Sequence, residues 1–280
     1  MLDPITENWH GKIHCGDSVE LMNKMPAESV DLCVTSPPYN LRNSTGNGMK
    51  GVWGGKRPRW KNPALANGYD GYDDAMPYPE YVEWQRKALT AMYRILKPTG
   101  AIFYNHKWRV QGGLIQDRAE IVEGFPVRQI IIWQRAGGIN FNPGFFLPTY
   151  EVIYLICKPG FKLAPKANTL GDVWRIPQEH NNTHPAPFPV ELAQRCIQST
   201  NAQIICDPFM GSGTTAIAAE SLGRAWIGMD ISATYCKLAT ERILAARGTV
   251  LTAEEYPVLA SIWDNDDDAI FDLVDIEGIS

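Results

Sequence analysis

Two periodicities alternate along this chain. Seven short segments, rich in β-branched and other apolar residues and bounded by turn residues, read as strands: 12–15, 31–35, 101–105, 128–134, 151–157, 203–207 and 225–229. Between several of them the apolar positions recur at helical spacing. Over 79–96, Tyr81, Trp84, Leu89, Met92 and Leu96 fall near one face, with Pro79 at the start and Lys97-Pro98-Thr99-Gly100 as the stop. Residues 189–199, 214–222 (closed by Gly223) and 232–247 (opened by Ser232 as N-cap) are the other predicted helices. Strands alternating with helices predict a doubly wound, mostly parallel sheet. The Gly/Pro-rich connection between 128–134 and 151–157 leaves no room for a crossover helix, so that pair is predicted antiparallel.

A chain of 280 residues holds one sizeable α/β domain, or a domain with one small insertion. The 45% hydrophobic and 20% charged content is ordinary and changes nothing in that picture. Six scattered cysteines form no C-x-x-C pair, which predicts reduced, packed thiols in a cytoplasmic protein and argues against bound zinc. No leader pattern and no bilayer-length apolar run is present, so a soluble protein with no membrane partner is expected.

Charge does change the picture. The net charge is -5, but residues 248–280 hold nine acidic side chains and no Lys or Arg, leaving residues 1–247 with 26 basic against 22 acidic groups, a charge of +4. Residues 1–247 therefore read as a mildly basic body and 248–280 as an acidic tail, whose apolar residues predict that part of it docks on the body. The connection 41–78 is too long for an ordinary loop. Its first part carries Arg42, Lys50, Lys56, Arg57, Arg59 and Lys61 without an acidic residue, and Trp53 and Trp60 are interleaved. Cations match phosphates and indoles stack on bases, so this loop is predicted to face nucleic acid rather than only solvent. Lys107 and Arg109, following another strand end, are further candidates for phosphate contact.

Two motifs carry the candidate chemistry. Asp207-Pro208-Phe209-Met210-Gly211-Ser212-Gly213-Thr214-Thr215 follows the strand at 203–207 and opens a helix. Its glycines let the backbone turn tightly and approach a ligand closely, and the helix start presents free N–H groups. Asp230, at the end of the next strand, is placed to accept from ribose hydroxyls. Thr35-Ser36-Pro37-Pro38-Tyr39-Asn40 follows the strand at 31–35. Two consecutive prolines fix the backbone and supply no competing donor, so neighbouring acceptors are pre-aimed. Alone, either motif also reads blandly, as a helix-packing glycine turn or a proline turn with a packed tyrosine.

Together, in this order, the motifs resemble the cofactor and catalytic loops of the beta-class S-adenosylmethionine-dependent DNA amino-methyltransferases, over about residues 12–247. The resemblance implies a seven-stranded methyltransferase sheet, circularly permuted, with one antiparallel strand. In it the strand ending at Asp207 lies beside the strand ending at Thr35. It implies S-adenosyl-L-methionine as cofactor, with Asp17 near the adenine, Phe209 flanking it, Asp207 at the methionine end, and Gly211, Gly213, Thr214 and Asp230 completing the site. The Ser36 side chain and the Pro37 carbonyl would accept the amino hydrogens of a base rotated out of double-stranded DNA, and Tyr39, held by Pro38, would stack on that base. A metal is not called for. Serine before Pro-Pro favours cytosine N4 over adenine N6. Residues 135–149 and 160–183 are candidates for target recognition, and His184-Pro185-Ala186-Pro187-Phe188-Pro189 resembles a segment packed beside the cofactor, with Phe188 standing near where many relatives carry lysine. A homodimer and a cognate restriction endonuclease are possible partners.

Three other readings stand beside this one: the same transfer to adenine N6, a catalytically inactive DNA-binding protein of the same fold, and a nicotinamide-dependent oxidoreductase. The last rests on Gly211-x-Gly213-x-x-Ala216, a weak pattern whose place so late in the chain is unusual for that class.

Overall fold

A computed structural model describes residues 9–40, 71–73, 75–111, 113–135, 143–179, 188–248 and 270–272. The cations and tryptophans of 42–61 lie outside the described residues, as do 136–142, 180–187 and most of the acidic tail. The strands are β1 (Lys12–Cys15), β2 (Val30–Thr35), β3 (Leu96–His106), β4 (Arg109–Gln111), β5 (Leu114–Gln116), β6 (Val127–Gln134), β7 (Tyr150–Cys157), β8 (Val173–Arg175), β9 (Ile204–Asp207), β10 (Ala225–Asp230) and β11 (Ile270–Asp272). The helices are α1 (Ser18–Lys24), α2 (Tyr78–Ile95), α3 (Ala119–Val122), α4 (Val190–Gln198), α5 (Thr214–Ser221) and α6 (Ala233–Arg247).

Nine strands join in the order β11-β1-β10-β9-β2-β3-β7-β6-β8, and β4 and β5 form a separate hairpin. The seven expected strands are the seven in the middle. β1, β10, β9, β2 and β3 run parallel, and β7 is antiparallel to both of its neighbours. The two additions lie at the edges, beyond the seven strands expected. β8 comes from the stretch 160–183 and pairs parallel with β6. β11, from the acidic tail, pairs antiparallel with β1. Each is three residues long, too short to leave a periodic signal in sequence.

Both faces of the sheet are covered, and the period of two sends alternate side chains to each. Leu32 and Val34 face a core that includes Leu192, Cys196, Ala216, Ala219, Ala239 and Ile243 from α4, α5 and α6. Cys33, Ile102 and Tyr104 face the opposite core, with Leu21, Met22, Tyr81, Leu89 and Met92 from α1 and α2. All six cysteines are free and buried. Helix ends follow their local chemistry. Asp17 accepts from the N–H groups of Val19 and Glu20 to open α1, Ser232 accepts from Tyr235 N to open α6, and Gly248 closes α6 at φ 82°.

The strand order places the site. β9 leads on to β10 on one side while its other neighbour, β2, leads on to β3 in the opposite direction, so the order reverses between β9 and β2. A crevice opens at such a point, outside the carboxyl ends of the strands. Asp207 ends β9 and Thr35 ends β2, so motifs more than 170 residues apart in sequence stand at one edge. Among the described residues, no helix is long and apolar enough to cross a membrane.

Candidate active site

The glycine loop is held from three sides. Asp230 at the end of β10 accepts from Gly211 N (2.9 Å) with one carboxylate oxygen and from Ser232 N (2.9 Å) with the other. Met210 N donates to the Met229 carbonyl at 2.9 Å. Arg242 on α6 donates to the Ser212 carbonyl (2.6 Å) and hydroxyl (2.7 Å), while its other terminal nitrogen pairs with Glu179 at 2.8 Å. Gly213 sits at φ +80°, and a Cβ there would stand 3.1 Å from that of Ala239, so the loop needs glycine both for its turn and for the approach of α6.

Asp207 works inside this frame rather than at its surface. It is 2% exposed. Its carboxyl accepts from Thr35 Oγ1 (2.6 Å), Thr215 Oγ1 (2.6 Å) and Phe209 N (3.1 Å), tying β9 to β2 and to the start of α5. Burial pushes its pKa up to about 6 despite those donors. Thr214 is likewise buried, within 3.4 Å of Arg242.

A cavity open to solvent lies beside this loop. Asp17, Phe209 and Asp230, all singled out from sequence, line it, joined by Ile231, Tyr235 and Trp84. Trp84 packs on Phe209 with ring centroids 5.5 Å apart, and Tyr72 packs on Trp84 at 5.0 Å. Ser36 and Pro38 line the same cavity, so the second motif forms its far wall. Aromatic walls suit a purine, and carboxylates suit hydroxyl groups and positive charge. Among the described lining residues there are two acids and no basic side chain, a set that fits the hydroxyls and sulfonium of S-adenosylmethionine better than a pyrophosphate.

The catalytic turn rests on buried polar side chains. The Pro38 carbonyl accepts from Tyr81 OH (2.9 Å) and Gln85 Nε2 (3.1 Å), both on α2, and Tyr104 OH donates in turn to Gln85. His106 Nε2 meets Tyr81 OH at 2.6 Å. Burial, aided by the charge of Arg118, lowers the His106 pKa well below its ordinary value and keeps the imidazole neutral. Pro37 is buried, and Asn40 takes a left-handed φ of 55° with its amide donating to the Met76 carbonyl at 2.7 Å.

Tyr39 is 4% exposed, with its ring 5.0 Å from that of His106. In this conformation the ring that the resemblance assigns to base stacking is covered. Its hydroxyl lies 2.5 Å from Ser36 Oγ and donates to Glu151 Oε2 at 3.0 Å. Asn105, at the end of β3, donates to the Tyr39 hydroxyl (2.8 Å) and to Glu151 Oε2 (2.9 Å) and lies 3.3 Å from Ser36 Oγ.

The two expected phosphate contacts that are described are half-buried. Arg109 donates to the Asn40 carbonyl at 3.1 Å and so fastens the end of the catalytic turn. The Lys107 ammonium is enclosed, its pKa lowered by burial against the attraction of Glu151. Sequence reasoning missed Trp84, Tyr235, Asn105, Glu151 and Arg242. Asn105 and Glu151 did leave a trace, each being a polar residue at the end of an apolar strand run that reaches the same sheet edge.

A permuted, mostly parallel sheet, with a glycine loop and a Ser-Pro-Pro-Tyr turn walling one cavity, defines the class as an S-adenosylmethionine-dependent amino-methyltransferase. Residues 30–241 match the N6/N4 methyltransferase family of DNA methylases, and the chain belongs to that family. Type II methyltransferase M.BglII of Bacillus subtilis is 28% identical over 273 residues, covering 81% of this chain and 67% of its own length. M.BamHI of Bacillus amyloliquefaciens is 29% identical over 266 residues, covering 83% of this chain; the chain spans 57% of that relative. Among solved structures, TTHA0409 of Thermus thermophilus, in complex with S-adenosyl-L-methionine, superposes with a TM-score of 0.61 at 26% identity over 84% of this chain and 93% of its own. PvuII DNA methyltransferase (cytosine-N4-specific) shares the fold, with a TM-score of 0.66 at 20% identity and 90% coverage of each chain.

Proposed function

We propose that this protein transfers the methyl group of S-adenosylmethionine to the exocyclic amino nitrogen of a base extruded from double-stranded DNA, cytosine N4 in preference to adenine N6. The observation that carries the reading is the shared cavity: Ser36 and Pro38 of one motif face Phe209 and Asp230 around the other. Bound there, the cofactor supplies an electrophilic methyl group on a sulfonium. Asp230 and Asp17 hold its hydroxyl and adenine ends, Phe209 flanks the ring, and the loop Gly211–Thr214 carries the backbone past it.

An exocyclic amine is a weak nucleophile because its lone pair is delocalised into the ring. Ser36 Oγ and the Pro37 carbonyl, as acceptors for the two amino hydrogens, favour the pyramidal nitrogen that attacks. Tyr39 offers the base the ring face opposite His106 once its cover moves aside. Serine before Pro-Pro, the form that the resemblance associates with cytosine N4, supports that choice of base.

Residues 1–247 form the catalytic unit in this reading, with 41–78 facing DNA and 160–183, which includes the short strand β8, contributing to target recognition. A homodimer and a cognate restriction endonuclease are proposed as possible further partners beside DNA.

Nucleoside mass spectrometry after incubating unmethylated DNA with isotopically labelled S-adenosylmethionine tests the proposal. Labelled N4-methylcytosine is expected. Labelled N6-methyladenine would keep the mechanism and overturn the choice of base. No label, with cofactor binding verified by calorimetry and varied DNA supplied, would return the chain to an inactive DNA-binding role.

A further inference from the structure

Ser36 alone leaves one part of the chemistry unassigned. A nitrogen that has just gained a methyl group carries a surplus proton, and a hydroxyl that accepts a hydrogen bond must pass its own proton onward to take it. We propose that Glu151, at the start of the reversed strand β7, is the residue that orients the Ser36 hydroxyl and receives this proton; the inference rests on the methyl-transfer reading above.

The direction of the hydrogen bonds carries the argument. A carboxylate only accepts. Glu151 Oε2 accepts a hydrogen bond from the Tyr39 hydroxyl at 3.0 Å, which leaves the tyrosine oxygen to accept from Ser36 Oγ at 2.5 Å. With its proton committed to Tyr39, Ser36 Oγ turns lone pairs, not a proton, toward the cavity that it lines. Asn105 locks the arrangement from β3. Its Nδ2 donates to Glu151 Oε2 at 2.9 Å and to the Tyr39 hydroxyl at 2.8 Å, and the carboxylate fixes which end of the amide faces it. On its other side, Glu151 Oε1 pairs with Arg135 at 3.2 Å, with side-chain exposures of only 8% and 11%. A charged pair so enclosed next to a reacting centre is expensive to bury, and orienting the hydroxyls is the use the geometry supports.

The proton step balances. The nitrogen lone pair forms the bond to the methyl carbon, and the methyl–sulfur bond breaks with its electron pair left on sulfur. The surplus proton on nitrogen passes to Ser36 Oγ, the serine proton to Tyr39 Oη, and the tyrosine proton to Glu151 Oε2. The methylated amine, Ser36 and Tyr39 end neutral, and Glu151 returns its proton to solvent. Glu151 is faced by Arg135 from the end of β6, by Lys107 and Asn105 from the end of β3, and by Tyr39 from the catalytic turn. His106 packs on Tyr39, and Arg109 fastens the residue after it.

Single-turnover methylation across a pH series, on preformed enzyme–DNA complex with saturating S-adenosylmethionine, tests the assignment with Glu151→Gln, Glu151→Asp and Tyr39→Phe. Glutamine keeps the shape but donates toward Tyr39, so its rate is expected to fall by about 100-fold or more, the usual worth of a proton-transfer group. The pH dependence of its rate is expected to differ from that of the native protein, and aspartate to restore part of both rate and profile. Cofactor affinity is expected to stay near the native value, while the thermal midpoint falls because Arg135 loses its partner. Tyr39→Phe keeps the ring and cuts the chain of hydroxyls, so it should show the same loss and the same change of profile. A Glu151→Gln protein within about threefold of the native rate, or one whose loss is matched by weakened cofactor binding and an unchanged pH profile, overturns the proposal. So does a Tyr39→Phe protein of native rate, which decides the matter if the glutamine variant does not fold. A native protein that binds the cofactor but labels no DNA overturns the methyl-transfer reading itself, an outcome visible before any variant is compared.

Discussion

The carboxyl of Asp207 accepts from two threonine hydroxyls and one backbone N–H, and together these groups fasten β9 to β2 beneath the crevice. Burial raises its pKa from 3.8 to about 6. The folded protein therefore holds a proton there that the unfolded chain releases at lower pH. The resulting stability is fully present below about pH 4 and is lost as pH rises toward 6 and beyond. Two pKa units correspond to roughly 3 kcal/mol. Asp207→Asn removes this titration. The stability of the native protein relative to that variant is expected to decline by roughly 2–3 kcal/mol between pH 4 and 7 in urea titrations. A gap that stays constant with pH would mean that Asp207 titrates normally. At the same scale, Arg109, half-buried just after a strand end, fastens the end of the catalytic turn through the Asn40 carbonyl.

Among the elements, α6 does more than cover the sheet. Its Arg242 reaches the glycine loop at Ser212 and, through Glu179, ties that loop to the segment following β8. Hydrogen bonds to a charged group contribute about 1.5–3 kcal/mol when enclosed, and less for this partly exposed side chain. Arg242→Ala is expected to weaken S-adenosylmethionine binding about tenfold by calorimetry, with a small change in thermal midpoint; unchanged affinity would leave α6 a packing element only. The longer elements were legible because their periods repeat over enough residues. The expected 79–96 became Tyr78–Ile95, and the expected 151–157 became Tyr150–Cys157. Helix α1, the β4–β5 hairpin, α3, β8 and β11, three to seven residues long, were not legible, whereas the equally short β1 and β9 were read from their apolar runs. The same limit applies to the site. Backbone motifs are written contiguously, so Ser36–Tyr39 and Gly211–Gly213 stood out. Trp84, Glu151 and Arg242 reach the crevice from elements whose neighbours are chosen only by the fold.

For the whole molecule, charge is divided between a body of +4 and an acidic tail, and the densest cationic stretch, Arg42 to Lys61, directly follows the catalytic turn. Neutralising Lys56, Arg57 and Arg59 together is expected to reduce DNA affinity and to lower the slope of log affinity against log salt by up to about 2–3, close to one unit for each phosphate left without its cation. An unaltered slope would make the stretch a solvated surface.

The strand order has a further consequence. β9 and β10, at the middle of the sheet, are built from residues 204–230, whereas β1 and β2, which flank them, come from the first 35 residues. During synthesis the chain emerges from its amino end, so β1 and β2 leave the ribosome without the strands that must lie between them. Each presents an unpaired edge to the nascent chain's surroundings until about 200 more residues have been made. The crevice between β9 and β2 thus cannot form before residue 207 has been made, and a chain cut short before residue 204 keeps exposed strand edges and has no cofactor loop.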